Sequence, residues 1–163
     1  MNLGYIYQLA KEFRNAFETA KKFIDRSPYY AFPRGCCGVA SELLSQYLFE
    51  NGIRNIEIYD GDYYYDYDEN QYPHTWILIG GKVIVDITAN QFIGKVGFET
   101  FPVIDPCYVG YTNDFYKLFE PRNVQYGKFY PLTKYKDTFF KEKNEKYEYY
   151  QLIKGLVRDQ EYI

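Results

Sequence analysis

Cys37, His74 and Asp86 are the residues whose types and spacing in this chain could do covalent chemistry. Cys37 lies at a joint between loop and helix. Phe32-Pro33-Arg34-Gly35 reads as loop, punctuated by Pro33 and Gly35. From Val39, the apolar residues Val39, Leu43, Leu44, Tyr47 and Leu48 recur at helical spacing until Asn51-Gly52 ends the run. Cys37 therefore falls in, or just before, a first helical turn. Backbone N–H groups there lack intrahelical partners and the helix dipole is positive, so a thiolate is favoured over a thiol. The same N–H groups can serve as an oxyanion hole. The adjacent Cys36 is the alternative nucleophile, and the two thiols point about 100° apart around a helix.

A thiolate needs a base that collects its proton and returns one to the leaving group, and imidazole titrates in the right range. His74 is the only histidine. It stands at the start of His74-Thr75-Trp76-Ile77-Leu78-Ile79, which Gly80-Gly81 joins to Lys82-Val83-Ile84-Val85-Asp86-Ile87 as a hairpin. With a loop of Ile79-Gly80-Gly81, Leu78 faces Lys82, Trp76 faces Ile84, and His74 lies directly opposite Asp86. A Gly80-Gly81 loop would instead pair His74 with Ile87 and send Asp86 to the other face. The residue pattern favours the first register. One face then holds Thr75, Ile77, Ile79, Val83, Val85 and Ile87, a nearly pure core. The other holds His74, Trp76, Leu78, Lys82, Ile84 and Asp86, a mixed face suited to a partly buried site. Asp86 would fix the imidazole from behind, giving a triad defined by geometry. Gln91 is expected to donate a hydrogen bond near the site or to hold the turn after Asp86; Trp76 and Thr88 are expected to support it. Cys107 reads as a buried or incidental thiol.

The remaining elements must position these groups. Residues 3–25 read as an amphipathic helix with Ile6, Leu9, Ala10, Phe13, Phe17, Ala20 and Ile24 on one stripe. Lys11, Glu12, Arg14, Glu18, Lys21 and Lys22 lie mostly opposite, and Ser27-Pro28 ends the helix. Ile53–Tyr59 alternates as a strand. Asp60–Tyr72 is a Tyr- and Asp-rich stretch whose tip must be a loop, a solvated hairpin end or a rim for a cationic partner. Short strands are expected between 93 and 133, among them Tyr108–Tyr111 and Gln125–Tyr130. A second charged helix is expected over 134–161, burying Phe139, Phe140, Tyr147, Tyr150, Leu152, Ile153 and Leu156, with Gly155 weakening its last turns.

At 163 residues the chain is read as a single domain, 1–163, with one core. A net charge of −3 gives no strong pull toward nucleic acid. No apolar run approaches the roughly 20 residues of a membrane span, and the N-terminus lacks the pattern of a signal peptide. Three cysteines, two of them adjacent, make a poor disulfide framework and suit a reducing cytoplasm. No cofactor is expected. A zinc site from Cys36, Cys37, Cys107 and His74 is disfavoured because adjacent cysteines lack the usual ligand spacing.

The set Pro33-x-Gly35-x-Cys37-Gly38-x-x-Ser41, His74-x-Trp76 and Val85-Asp86-Ile87-Thr88-x-x-Gln91-Phe92 resembles the transglutaminase-like branch of the papain-like cysteine enzymes. The order Cys, His, Asp and the short spacing are also similar to the core of arylamine N-acetyltransferases. The resemblance covers roughly residues 32–92. It implies an α+β fold, with a nucleophile-bearing helix packed on an antiparallel sheet, here flanked by N- and C-terminal helices. It further implies Cys37 as nucleophile, placed immediately before Gly38, His74 as base and Asp86 as orienter. The expected activity is acyl transfer on a peptide or protein amide through a thioester. The chain is too short for the added domains of an acetyl-CoA-using acetyltransferase or an animal transglutaminase. The competing expectation is a non-catalytic binding module on the same fold, using the loop at 59–72.

Overall fold

In a computed structural model, residues 1–23, 29–65, 70–121, 129, 131–132 and 141–160 are described. The architecture is α+β. Helix α1 spans Leu3–Ala20, α2 Cys37–Glu50 and α3 Lys141–Gln160. Strands β1 (Ile56–Tyr65), β2 (Asn70–Ile79), β3 (Val83–Asp86), β4 (Tyr108–Tyr111) and β5 (Glu120–Pro121) complete the described elements. The strands form one antiparallel sheet in the order β4-β3-β2-β1-β5.

Each helix is placed by an apolar stripe. Asn2 caps α1 by accepting from the Tyr5 N–H at 3.1 Å. The stripe expected from the sequence is buried from Ile6 to Ala20; Ile24 and Ser27-Pro28 lie outside the described residues. Arg14, expected on the solvent side, is buried instead. Its guanidinium donates to the Ile87 carbonyl at the end of β3 and lies over the Phe32 ring at 5.0 Å. A buried guanidinium is tolerable when its donors are satisfied and its plane stacks on an aromatic face. In α3, Tyr150, Ile153 and Val157 are buried, whereas Leu152, expected inside, is 39% exposed. Leu152 directly precedes Ile153, so the two point about 100° apart on the helix. Gly155 does not stop α3, which runs to Gln160. Phe139, Phe140 and all of Gln125–Tyr130 except Phe129 lie outside the described residues.

Two corrections concern the sheet. First, β2 begins at Asn70, so His74 sits inside a strand rather than at its start. The Tyr- and Asp-rich stretch forms the outer halves of β1 and β2, paired Tyr63 to Tyr72 and Tyr65 to Asn70. Second, β2 and β3 pair Leu78 with Ile84 and Ile79 with Val83. Gly80 and Gly81, both at positive φ, and Lys82 form the connection. The register is displaced by two residues from the expected one. His74 and Asp86 are therefore diagonal neighbours on one face, not directly opposed. A shift of two preserves the face of every side chain, and diagonal neighbours remain within reach of long side chains.

Both faces of the sheet are covered. The face of Ile77, Ile79, Val83, Val85 and Ile87 packs against the helices. The face of Trp76 and Ile84, expected to be partly open, lies under a second aromatic core of Phe92, Phe98, Phe115, Tyr116 and Phe119. Gly61 shows how tightly this layer closes. A Cβ there would lie 2.6 Å from the Phe119 Cβ and 2.8 Å from the Trp76 ring.

Candidate active site

Cys37 is the first residue of α2, and Cys36 is its N-cap without a side-chain capping bond. The N–H groups of this first turn point away from the helix with no intrahelical acceptor. One turn on, Ser41 Oγ donates to the Thr75 carbonyl at 3.3 Å, tying α2 to β2 beside His74. This tie sets the thiol over the strand that carries the imidazole.

His74 and Asp86 are each 1% exposed. His74 Nε2 donates to Asp86 Oδ2 at 2.6 Å. Asp86 Oδ1 accepts from the Thr88 N–H at 2.7 Å and the Thr88 hydroxyl at 3.0 Å. The Tyr116 hydroxyl donates to Oδ2 at 3.0 Å. Tyr116 is a site residue that sequence reasoning missed; it comes from a turn thirty residues beyond Asp86, with no motif around it. Burial pushes the Asp86 carboxyl up, but the His74 charge and hydrogen bond, with the Thr88 donors, outweigh it and hold it below its ordinary value. The Tyr116 phenol is pushed well up by burial and by the neighbouring Asp86 charge, so it remains a donor.

The Nδ1 edge of the ring faces the thiol and Gln91. Gln91 Oε1 accepts from the Gly35 N–H at 3.3 Å, which fixes the amide so that Nε2 lies 3.2 Å from His74 Nδ1 and donates to it only in the neutral ring, when Nδ1 carries no proton. Gln91 thus links the loop before α2 to the imidazole, while the turn after Asp86, the other role expected for it, is held by Asp86 Oδ1 and Thr88. Burial lowers the His74 pKa, but the Asp86 charge and hydrogen bond, joined by Cys37, raise it to about 9. Burial also pushes the Cys37 thiol up. Its hydrogen bond to His74, the imidazole charge and hydrogen bonds from Thr75 outweigh this and leave it below the ordinary thiol value. Both shifts favour transfer of the thiol proton to the imidazole. Thr75 was not singled out from the sequence; its hydroxyl has one proton to give, and the Asp60 carboxylate across the β1–β2 pair competes with the Cys37 sulfur for it.

The chain matches no protein-family model, no curated protein and no solved structure.

Cys36 and Cys107 differ sharply from Cys37. Both are in the helix-side core, and burial pushes each thiol up to about 12. Among the described residues, no group of three or more His, Cys, Asp or Glu is placed to hold a metal ion. Trp76 is 6% exposed; its ring lies 5.6 Å from the imidazole and forms a wall rather than an open contact surface. In the 59–72 stretch, Tyr63 and Tyr72 pack on the aromatic core, while Tyr64 is 60% exposed. No described helix is long and apolar enough to cross a membrane.

Proposed function

We propose that this chain is a cysteine-nucleophile acyl-transfer enzyme acting on amide bonds, built on a transglutaminase-like, papain-like core. One observation carries the reading: the imidazole that acts on the Cys37 thiol has its far nitrogen held by a buried carboxylate at 2.6 Å. Cys37 Sγ attacks the carbonyl carbon as thiolate. The oxyanion forms beside the N–H groups of the first turn of α2. His74 gives its Nδ1 proton to the leaving nitrogen, the C–N bond breaks, and a thioester remains. An incoming water or amine then yields a proton to Nδ1, attacks the thioester carbonyl and releases the thiolate. Asp86 keeps the ring in the productive tautomer throughout. The favoured substrate is a peptide or protein amide, opened by water.

The test is acylation by p-nitrophenyl acetate near neutral pH. A burst of p-nitrophenol equal to the enzyme is expected, with one acetyl group mapped to Cys37 by mass. Cys37→Ala removes the burst, and His74→Ala slows it by about 10²–10⁴-fold, the usual range for a positioned acid–base group. Acetylation of Cys36 in place of Cys37, or a rate no faster than a small free thiol, overturns the proposal.

A further inference from the structure

Two cations stand at the edge of the Cys37 site and take no part in the proton transfers above. Arg34 is exposed and immediately precedes Gly35, whose N–H holds Gln91. Lys95 is half-buried. Its ammonium lies 5.3 Å from the Tyr72 ring centroid and 5.1 Å from that of Phe92, and the Phe92 ring meets the imidazole edge-on at 4.9 Å. Arg34 thus borders the Gly35 end of the Gly35–Gln91–His74 clasp in sequence, Lys95 borders its His74 end through Phe92, and the two are close enough to repel each other. Among the described residues, neither is paired with a carboxylate. Burial and repulsion by Arg34 weaken the hold of Lys95 on its proton, and only attraction from the Cys37 thiolate opposes them. A chain of net charge −3 has therefore gathered positive charge where a substrate must approach.

Resting on the acyl-transfer reading, we propose that Arg34 and Lys95 form an anion-selecting rim and that the substrate is an acidic peptide, with a carboxylate beside the amide to be opened. A half-buried ammonium above aromatic rings has lost part of its water, and an incoming carboxylate restores what was lost. The Arg34 fork can bind a carboxylate through two donors. Cations serving only to stabilise the thiolate would speed every electrophile alike; a rim that reads charge favours anionic ones.

The experiment compares alkylation of Cys37 by iodoacetate and iodoacetamide on the full chain at low salt. In both, an S–C bond forms and iodide leaves; only iodoacetate carries a carboxylate near the reacting carbon. The ratio of the two rates, divided by that of a small free thiol, is the readout. The imidazolium contributes equally in wild type and variants, so the change on substitution isolates the rim. The normalised ratio is expected to exceed about 5 and to fall at least threefold in Lys95→Gln and in Arg34→Gln, with most of the preference lost by roughly 0.5 M salt. A ratio unchanged in both variants, or both rates falling in step, overturns the rim. Absence of iodoacetamide labelling at Cys37 in wild type overturns the nucleophile itself, and the rim falls with it.

Discussion

Four hydrogen bonds converge on one buried carboxylate, and two of the donors share a single oxygen: His74 Nε2 and the Tyr116 hydroxyl both reach Asp86 Oδ2. Two donors on one oxygen compete, so the tyrosine tempers how strongly Asp86 favours the imidazolium. Activity through the ion pair should be bell-shaped in pH. Its acid limb lies below the ordinary thiol range, and its alkaline limb follows loss of the His74 proton near pH 9. Asp86→Asn removes the largest influence that raises the imidazole pKa. The alkaline limb should then move down toward neutrality and the rate fall by roughly 10²–10⁴-fold. Tyr116→Phe has the opposite sign: with one fewer donor, the carboxylate holds the imidazolium more firmly and the alkaline limb moves up. The same change should cost about 1.5–3 kcal/mol of stability for a hydrogen bond to a charged group. Burst rate against pH for both variants checks the two directions, and a limb moving the same way in both would contradict this account of Oδ2.

The strands and helices deliver these groups through packing that is legible in the sequence to different depths. Helix α2, its end at Asn51-Gly52, the stripe of α1 and the partition of β2 and β3 side chains between two faces all follow from apolar period and turn residues. The register was harder to read. Gly80-Gly81 marks a connection but does not say where pairing resumes, and the ladder restarts at Val83 rather than Lys82. The long β1–β2 pairing was obscured because Asp60, Asp62 and the tyrosines break the alternation that identifies a half-buried strand. Arg14 was misplaced because its type outweighed its position, and Tyr116 because only the fold brings it to Asp86. The aromatic layer above His74 carries its own prediction. Gly61→Ala must push aside β1, or the Trp76 ring together with the Phe119 Cβ, at a cost of roughly 1–3 kcal/mol. Gly155→Ala meets nothing within 4 Å in α3 and should gain up to about 1 kcal/mol of helix propensity. Urea unfolding of the two variants should therefore shift in opposite directions, and equal midpoints would contradict the close packing at Gly61.

Across the whole molecule, proton linkage ties the site to global stability. His74 is raised from 6.5 to about 9 in the folded chain. Taken alone, it contributes stability that is fully present below pH 6.5 and is lost as pH rises through its folded value. Cys37 is lowered from 9.0. Taken alone, it contributes stability that is present above its unfolded value and is lost as pH falls through its folded value. Above the lowered folded value of Cys37 and below about pH 9, the unfolded chain holds one proton on this pair, on the thiol, and the folded chain holds one, on the imidazole. In that window the two slopes oppose each other and the pair contributes little pH dependence. Cys37→Ser keeps the size and the polar contact but removes the thiolate, so the His74 slope is no longer opposed. Asp86 continues to hold the imidazole above its ordinary value. The variant should therefore lose stability relative to wild type as pH rises from the lowered Cys37 value toward 9.0, at up to about 1.4 kcal/mol per pH unit. Groups common to both chains cancel in the difference. Cys36 and Cys107, both pushed up to about 12, stay protonated in the folded chain throughout. Urea unfolding of wild type and Cys37→Ser at closely spaced pH values gives this difference directly. A difference that stays flat at every pH up to 9.0 would mean that thiol and imidazole do not titrate as a pair, and Cys37 would then meet an electrophile as a neutral thiol.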